Sequence, residues 1–344
     1  MTTTLNNSFS VSVVIAAFHG EKFIGELLKS LFTQTYPPSE ILIGDDSHDN
    51  QTEIAIRNVI AEAPCPVNII KNEQPKGCSQ NFSMLADKAT GDIIFLCDQD
   101  DVWLPEKIEN MVNEFKQFPE TAVVFCNSRF VDCNLNDMGY STSDILKISN
   151  EVCKKINEEN DLLDFIKNPM MYGHNIAFRK EFRNCFLPIP EYVNIYDLYI
   201  NYIAVCSHIR CIRKDLTLFR RHGNNSSVQQ TSWQRLIRIL TKKNDKERYN
   251  SWIHIYAAIE KLKTIESVSK MENFNILCKF RDFYKKRLKV SSGNIFKRLQ
   301  AITFLNEYFQ CGTGIKSFLR DIFIRNIINE DQFSPESLIR NKED

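Results

Sequence analysis

Residues 92–101 read Asp-Ile-Ile-Phe-Leu-Cys-Asp-Gln-Asp-Asp, an apolar run of strand length that ends in three carboxylates. Two earlier runs, Val11–Ala17 and Glu40–Asp46, have the same character, and the second of them also ends in acids. Strands that are apolar along their whole length are typical of parallel sheets covered by helices on both faces. Ligands of such sheets bind at the carboxyl ends of the strands, so both acidic clusters are predicted to lie at the binding edge.

The segments between these runs have apolar residues at helical spacing. Apolar residues from Phe23 to Phe32 recur at helical spacing, and Pro37-Pro38 ends that segment. Further helices are predicted at 54–60, at 81–89 and from Pro105 to about Gln117, and further strands at 67–70 and 122–126. Because strands and helices alternate with short connections, we predict an α/β fold with a Rossmann-like, mostly parallel sheet, right-handed crossovers and helices on both faces.

The pattern changes after about Ser226, where apolar residues keep helical spacing and no strand is predicted. Residues 226–344 are therefore predicted to form an all-helical C-terminal appendage. The spaced residues are Trp252, Ile255, Tyr256, Ile259 and Leu262, and then Phe296, Leu299, Ile302 and Leu305.

The charges are distributed unevenly although the net charge of the 344 residues is zero. Between Arg235 and Arg298 there are 17 Lys or Arg against 6 Asp or Glu, so the front of the chain is acidic. An acidic front with a basic rear argues against a general nucleic-acid-binding protein. It is compatible with an anionic membrane surface that meets the basic C-terminal region.

The eleven cysteines are scattered and form no C-x-x-C pair. No secretory signal precedes them, and no run of about 18 apolar residues could form a transmembrane helix. These features predict reduced thiols in a cytoplasmic protein.

The sharpest chemical feature is the sequence Asp98-Gln-Asp-Asp101 directly after a buried strand. Carboxylates at i and i+2 can hold one hard divalent cation, with diphosphate oxygens completing its shell. Acids at a strand end are also common as caps, and Asp101 could cap the helix that begins at Pro105. The second acidic pair, Asp45-Asp46, lies at the end of a neighbouring predicted strand and favours a ligand site.

From about Ser10 to Asn225 the chain resembles glycosyltransferase family 2, and within it the bacterial rhamnosyltransferase-like branch. The resemblance implies a GT-A catalytic domain over 1–225, with a nucleotide-sugar half at about 10–128, an acceptor half at about 129–225, and the helical region at 226–344. The motifs that carry it are Ala17-Phe-His-Gly-Glu-Lys-Phe23, Gln34-Thr-Tyr36, Asp45-Asp46, Gly77 with Asn81-Phe82, Gly91-Asp92, Asp98-Gln-Asp-Asp-Val-Trp103 with Pro105 and Lys107, Leu187-Pro-Ile-Pro190, Asp197, and Arg220-Arg-His-Gly-Asn224.

The resemblance implies inverting transfer of a sugar from a nucleotide-diphosphate sugar to a hydroxyl of a glycan or lipid-linked acceptor, as in bacterial surface polysaccharide synthesis. It implies Asp197 as the general base, which takes the acceptor proton while Mg²⁺ or Mn²⁺ neutralises the leaving diphosphate. The metal ligands would be Asp98, Asp100 and His222. The donor-site residues would be Ala17 and Phe18 through their backbone groups, Glu21, Asp45 or Asp46 at the base, Gly77, Asn81 and Asp98. The acceptor side would hold Asp101, Trp103, His174 and Tyr196.

Two departures from the branch leave specificity open. Tyr196 stands where relatives have a His before the catalytic Asp, so the acceptor is open, and the segment Asp45–Asp49 is one residue shorter, which leaves uracil or thymine open. For Trp103, packing beneath the metal loop is favoured over ligand contact. A homo-oligomer is also left open.

Two other functions compete with this interpretation. A non-catalytic sugar-nucleotide-binding or interaction protein of the same fold is disfavoured because the acids and the late His are all retained. A dehydrogenase is disfavoured because no G-x-G-x-x-G follows the first strand.

Overall fold

The structure is a computed structural model that describes residues 8–222, 245–265, 272–291 and 293–323, with only the backbone described at 245–251 and 272. The predicted domain boundary near 225 and the start of the basic stretch at 235–244 lie outside the described residues. Within them, one sheet carries the strands β1 Val11–Ala17, β2 Glu40–Asp45, β3 Val67–Lys71, β4 Ile93–Asp98, β5 Val102–Trp103, β6 Thr121–Val131, β7 Asp137–Ser141, β8 Ile176–Arg179 and β9 His208–Arg220.

The sheet follows the order β3-β2-β1-β4-β8-β6-β9-β5, and β7 pairs with β6. The first four strands in that order are parallel, as predicted for the front of the chain. The second half is mixed, because β8 runs antiparallel to both β4 and β6 while β9 runs parallel to β6. The strand β8 is only four residues long, which is too short for the sequence pattern to predict it.

Helices cover both faces of the sheet. Val13 and Ile15 of β1 face one side and pack with apolar residues such as Leu28, whereas Val14 faces the other side and packs with residues such as Leu85. The helices of the front part are α1 Ile24–Phe32, α2 Gln51–Arg57, α3 Cys78–Lys88, α4 Lys107–Gln117, α5 Thr142–Leu146, α6 Asn150–Lys154, α7 Leu163–Lys167, α8 Arg183–Phe186 and α9 Tyr196–Ala204.

The described rear residues are helical, as predicted, and they share a core with the sheet. Ile255 and Phe283 belong to the same buried cluster as Phe178 and Ile203 of the front part. Among the described residues, in the rear part and in the front part alike, no helix is long and apolar enough to cross a membrane. The rear helices are α10 Asp245–Leu262, α11 Glu272–Ser291, α12 Ile295–Leu299, α13 Leu305–Cys311 and α14 Ile315–Phe323.

Two of the scattered cysteines lie side by side in the fold. Cys153 of α6 and Cys211 of β9 have Cα atoms 5.6 Å apart and are 58 positions apart in the chain. Reduced thiols stay a prediction for this pair. Sequence spacing could not reveal their proximity, because only the packing of α6 against β9 brings the two residues together.

Candidate active site

Both acidic clusters lie at the carboxyl ends of neighbouring strands. In the parallel register Ala16 of β1 is opposite Asp98 of β4, and Ala17 is opposite Asp45 of β2. The strand ends therefore place the clusters side by side, at the edge where sheets of this kind bind ligands. This part of the predicted site follows directly from the strand pattern.

The acidic pair after β2 is buried and engaged by neighbouring residues. Asp45 accepts a hydrogen bond from Lys71 Nζ at 2.8 Å. Asp46 accepts bonds from Asn72 Nδ2 at 2.7 Å and from the backbone N–H of Gly77 at 2.9 Å. These contacts tie the end of β2 to the loop before α3. Contact of Asp45, Asp46 or Gly77 with a nucleotide stays a prediction.

The side chain of Gln99 closes the end of β1. Its Oε1 accepts from Phe18 N at 2.9 Å, and its Nε2 donates to Phe18 O at 2.8 Å. A Cβ at Gly20 would lie 2.2 Å from Gln99 Oε1, so this closure requires glycine there. The backbone groups of Phe18 are thus engaged by Gln99. Their contact with a nucleotide stays a prediction. The carbonyl of Ala17 accepts from Asp46 N at 2.9 Å.

Two further predicted donor residues have contacts within the fold. Asn81 is buried and donates to the carbonyl of Gly44 at 2.8 Å, which fastens α3 to β2. Any side chain at position 44 would collide with it, since a Cβ there would lie 2.0 Å from Asn81 Oδ1. Glu21 is exposed and accepts from Thr52 Oγ1 at 3.3 Å. Their contact with a sugar nucleotide stays a prediction.

The loop after β4 and the end of β9 meet at one pair of side chains. His222 Nε2 lies 2.8 Å from Asp100 Oδ2, and the two side chains are 15% and 16% exposed. Burial raises the pKa of Asp100 and the negative charge of Asp98 raises it further, while His222 opposes both effects. Carboxylate oxygens and an imidazole at a partly open edge, with excess negative charge, form a suitable ligand set for Mg²⁺ or Mn²⁺.

A second ligand set lies deeper. Ligand atoms of Asp98, Asp101 and His174 lie within 4.8 Å of one another, and His174 Nδ1 is 3.8 Å from Asp101 Oδ2. Burial lowers the pKa of His174 and raises the pKa of Asp101 well above its usual range. The buried ammonium of Lys107 donates to the carbonyl of His174 at 2.7 Å and brings a compensating positive charge. Asp100 and His222 lie at a more open edge than this set. Binding of a metal by Asp98, Asp100 and His222 together stays a prediction.

The four residues predicted on the acceptor side are at most 7% exposed: Asp101, Trp103, His174 and Tyr196. Their contact with an acceptor stays a prediction, and the structure shows what some of them do within the fold. Trp103 packs on Phe95 and beneath the ammonium of Lys107, which lies 3.7 Å from a ring centroid, in agreement with the packing predicted for it. Tyr196 packs against Phe82 with ring centroids 4.5 Å apart.

Asp197 lies in the first turn of α9 and is partly exposed. Its Oδ1 accepts from Leu198 N at 2.8 Å and its Oδ2 from Gly173 N at 3.3 Å. Burial raises the pKa of Asp197 to about 6, and the charge of Asp98 also raises it. A carboxylate with a pKa near neutrality is suited to accept a proton from a hydroxyl group.

Acids from distant parts of the chain raise the pKa of one thiol, that of Cys78. Burial raises the pKa of the Cys78 thiol at the start of α3, and the charges of Asp98, Asp197, Asp46 and Asp100 raise it further. Two adjacent residues connect the two groups of acids: His174 Nδ1 lies 3.6 Å from Asp98 Oδ2, and Gly173 N donates to Asp197 Oδ2 at 3.3 Å. Asp197 therefore lies near the strand-end acids. This juxtaposition joins residues that are about 100 positions apart in the chain.

One contact at this site involves a residue that the sequence did not single out. The backbone N–H of Ile195, the residue before α9, donates to His254 Nε2 of α10 at 3.2 Å. His254 is fully buried among apolar neighbours. The one available signal is a polar residue within the apolar stretch Trp252–Ile259, and it does not indicate the partner.

Comparisons with known proteins agree with this geometry. A family model described as glycosyl transferase family 2 matches residues 12–186. An uncharacterized glycosyltransferase of Nostoc sp. is 26% identical over 226 residues, 64% of this chain and 68% of the relative. The UDP-Glc:alpha-D-GlcNAc-diphosphoundecaprenol beta-1,3-glucosyltransferase WfgD of Escherichia coli is 25% identical over 107 residues, 31% of this chain and 41% of the relative.

Solved structures with the same fold cover most of the chain. TarS of S. aureus in complex with UDP has a TM-score of 0.55 at 14% identity and covers 91% of this chain and 81% of its own. The mannosyltransferase PcManGT of Pyrobaculum calidifontis, in complex with GDP-Man and Mn²⁺, has a TM-score of 0.51 at 16% identity, with 92% and 86% covered. At these identities the likeness shows the fold, a GT-A-like α/β architecture followed by helices.

Proposed function

The chain belongs to glycosyl transferase family 2, and from that premise we propose that it is an inverting, metal-dependent glycosyltransferase. It moves a sugar from a nucleotide-diphosphate sugar to a hydroxyl of a glycan or lipid-linked acceptor. The observation that carries this proposal is the position of Asp197 near Asp98, with the adjacent residues Gly173 and His174 in contact with one carboxylate each. A single displacement at an anomeric carbon needs a base on one side of that carbon and charge neutralisation on the other.

Asp98, Asp100 and His222 would hold a divalent cation, which supplies neutralisation of the charge on the leaving diphosphate. Asp197 acts at the opposite side. The acceptor oxygen forms a bond to the anomeric carbon as the bond from that carbon to the diphosphate oxygen breaks. The acceptor proton passes to a carboxylate oxygen of Asp197, which the raised pKa prepares for this role.

The two halves of the catalytic domain contribute different parts of this chemistry. In our proposal residues 10–128 bind the nucleotide sugar, and residues 129–225 supply Asp197, His222 and the acceptor side. The nucleotides in the complexes of TarS and PcManGT support a nucleotide-diphosphate donor. The lipid-linked substrate named for WfgD supports a lipid-linked acceptor in surface polysaccharide synthesis.

Substrate choice and location are further parts of the proposal. The rhamnosyltransferase-like motifs suggest a hexose or deoxyhexose donor, with Tyr196 in the position next to the base. A lipid-linked acceptor places the enzyme at the inner membrane face, where the basic C-terminal region would be attracted to anionic lipid.

A panel of UDP-, dTDP- and GDP-sugars tests the proposal. We expect one class to raise the melting temperature and to release nucleoside diphosphate with Mn²⁺ or Mg²⁺, and both effects to disappear with excess chelator. The exposed His208 offers a control, since His208→Gln lies away from the strand-end acids and should behave as wild type. Stabilisation and turnover that are equal with and without chelator would contradict the metal-dependent mechanism.

A further inference from the structure

The described rear helices leave an unusual amount of apolar surface uncovered. Of the fourteen large apolar side chains that are exposed among the described residues, eight lie between 295 and 323. The two most exposed of all are Phe296 of α12 and Phe323 of α14, at 78% and 74%. Scattered exposed apolar residues are normal, but a concentrated set indicates an interaction surface. We call the exposed apolar side chains of residues 295–323 the rear face.

The geometry of α14 shows why half of its apolar surface stays open. Successive residues are about 100° apart around a helix, so Ile315, Leu319 and Phe323 form one stripe, with Phe318 and Ile322 beside it. Phe318 and Ile322 are buried in the core, whereas the stripe is 44–74% exposed. The apolar arc of α14 is thus wider than the core can cover.

A buried ion pair joins the helices α11 and α14 behind the rear face. Arg287 of α11 donates from Nε to Asp321 Oδ2 at 2.6 Å, and Tyr308 Oη of α13 donates to the same oxygen at 2.9 Å. Helices α12 and α13 both contact α14. The rear face is therefore a feature of a packed bundle.

Positive charge accompanies the rear face. Residues 295–323 contain four cationic side chains, Lys297, Arg298, Lys316 and Arg320, and two acidic ones. Both acids are ion-paired with cations of α11, Glu307 with Lys286 and Asp321 with Arg287. On the helical wheel Lys316 and Arg320 fall next to the exposed stripe of α14. Long basic side chains in that position keep their charged ends at a headgroup layer while their stems lie on apolar surface.

We propose that the rear face docks onto an anionic lipid bilayer, with its apolar side chains in the interfacial layer and the neighbouring Lys297 and Lys316 side chains on lipid phosphates. Apolar residues flanked by cations, without long hydrophobic spans, are the composition of helices that lie in a membrane interface. The docking surface is a structural property that does not depend on the reaction. Only the purpose of the docking surface, to bring the site to a lipid-linked acceptor, rests on the proposed function.

Vesicle co-sedimentation of the full chain tests the proposal. The probes are neutral vesicles of phosphatidylcholine alone and anionic vesicles of phosphatidylcholine with about a third phosphatidylglycerol. The positive charges beside the rear face should attract only the anionic vesicles. The variant F296Q/F323Q changes two side chains that are already exposed, so the fold should persist. The matched control I54Q/M138Q changes two exposed apolar residues, at 50% and 41%, outside the rear face.

We expect binding to the anionic vesicles that weakens as salt is raised. F296Q/F323Q should lower the vesicle affinity on the order of 100-fold, and I54Q/M138Q should leave it unchanged. Metal-dependent hydrolysis of the sugar nucleotide should stay at the wild-type rate in both variants, so a failure of the proposed function is detected separately. Equal binding of wild type and F296Q/F323Q would overturn the proposal. It would also be overturned if that variant instead converts an oligomer to a monomer in light scattering, which would assign the rear face to a second copy of the chain.

Discussion

Buried carboxylates have different surroundings at the strand-end edge and in the rear helices. At the edge, Asp98, Asp100 and Asp101 follow one another within four residues, and burial together with their mutual repulsion raises the pKa of Asp100 and Asp101. Asp101 Oδ2 is buried without a hydrogen-bond partner. In the rear bundle Asp321 is fully buried but lies 2.6 Å from Arg287.

The difference separates a ligand site from a structural contact. A buried carboxylate that is paired and hydrogen-bonded needs nothing further, whereas clustered carboxylates with raised pKa values are destabilised until a cation arrives. In the proposed function the edge therefore gives up stability for cation binding, whereas the rear bundle uses the same residue type to hold helices together.

Removing Asp100 should give the largest effect on activity. Asp100→Ala deletes a proposed metal ligand and the partner of His222, so turnover should fall by at least about 10³-fold, comparable to the loss of an electrostatic catalytic group. The measurement is sugar-nucleotide turnover at saturating Mn²⁺. Turnover near wild type would remove the metal assignment.

The rear bundle supplies the control for that change. Asp321→Ala leaves Arg287 buried without its carboxylate, which typically costs about 3–5 kcal/mol in the free energy of unfolding. Its main effect should appear in thermal denaturation, whereas Asp100→Ala should leave the melting temperature nearly unchanged. If both variants lose stability equally, the contrast between the two regions fails.

The pH dependence should report the raised pKa of Asp197. Only the ionised carboxylate accepts the acceptor proton, so kcat/KM should fall about tenfold for each pH unit below about 6 and level off above it. Because the folded protein favours the protonated form, the contribution of Asp197 to stability is present at low pH and is lost as pH rises from about 4 to about 6. A pH–rate profile between pH 5 and 8 checks this, and a flat profile would contradict the base assignment.

A smaller effect should come from the contact between the two regions. His254→Leu removes the acceptor of the Ile195 N–H, a part-buried hydrogen bond whose loss should cost about 1 kcal/mol. Because Ile195 precedes the helix of Asp197, kcat should fall about tenfold while donor affinity stays constant.

His254→Gln can return an oxygen acceptor and should restore much of that loss. Ile259→Val in the same helix serves as the control, since it weakens core packing and leaves the acceptor in place. An equal loss of kcat in both His254 variants and in Ile259→Val would indicate general destabilisation rather than positioning of Asp197.

Local pattern was sufficient to predict the edge but not its internal contacts. The runs that became β1, β2 and β4 are apolar and short, and parallel pairing then places the acids after β2 and β4 together. The bonds from Gln99 to Phe18 depend on a side-chain orientation that no periodicity encodes. The sequence therefore predicts the position of Phe18 at the strand end but not its contact with Gln99.

Long-range packing accounts for what the sequence did not predict. The contact of His254 with Ile195 spans 59 residues, and that of Cys153 with Cys211 spans 58. The antiparallel strand β8 depends on neighbours at both of its edges. The apolar spacing of the rear helices is visible in the sequence. Helical spacing does not say which face of a helix the core covers, so the sequence could not predict that Phe296 is exposed while Phe283 is buried.

In the proposed mechanism Asp197 acts on the acceptor proton while the strand-end acids hold the donor. The most direct test measures two properties of the Asp197→Asn protein in Mn²⁺: its affinity for the sugar-nucleotide donor, by calorimetry, and its turnover. We predict an unchanged donor affinity with turnover lowered by about 10²–10⁴-fold, because asparagine keeps the shape but cannot take the proton. A collapse of donor affinity, or turnover near wild type, would contradict it.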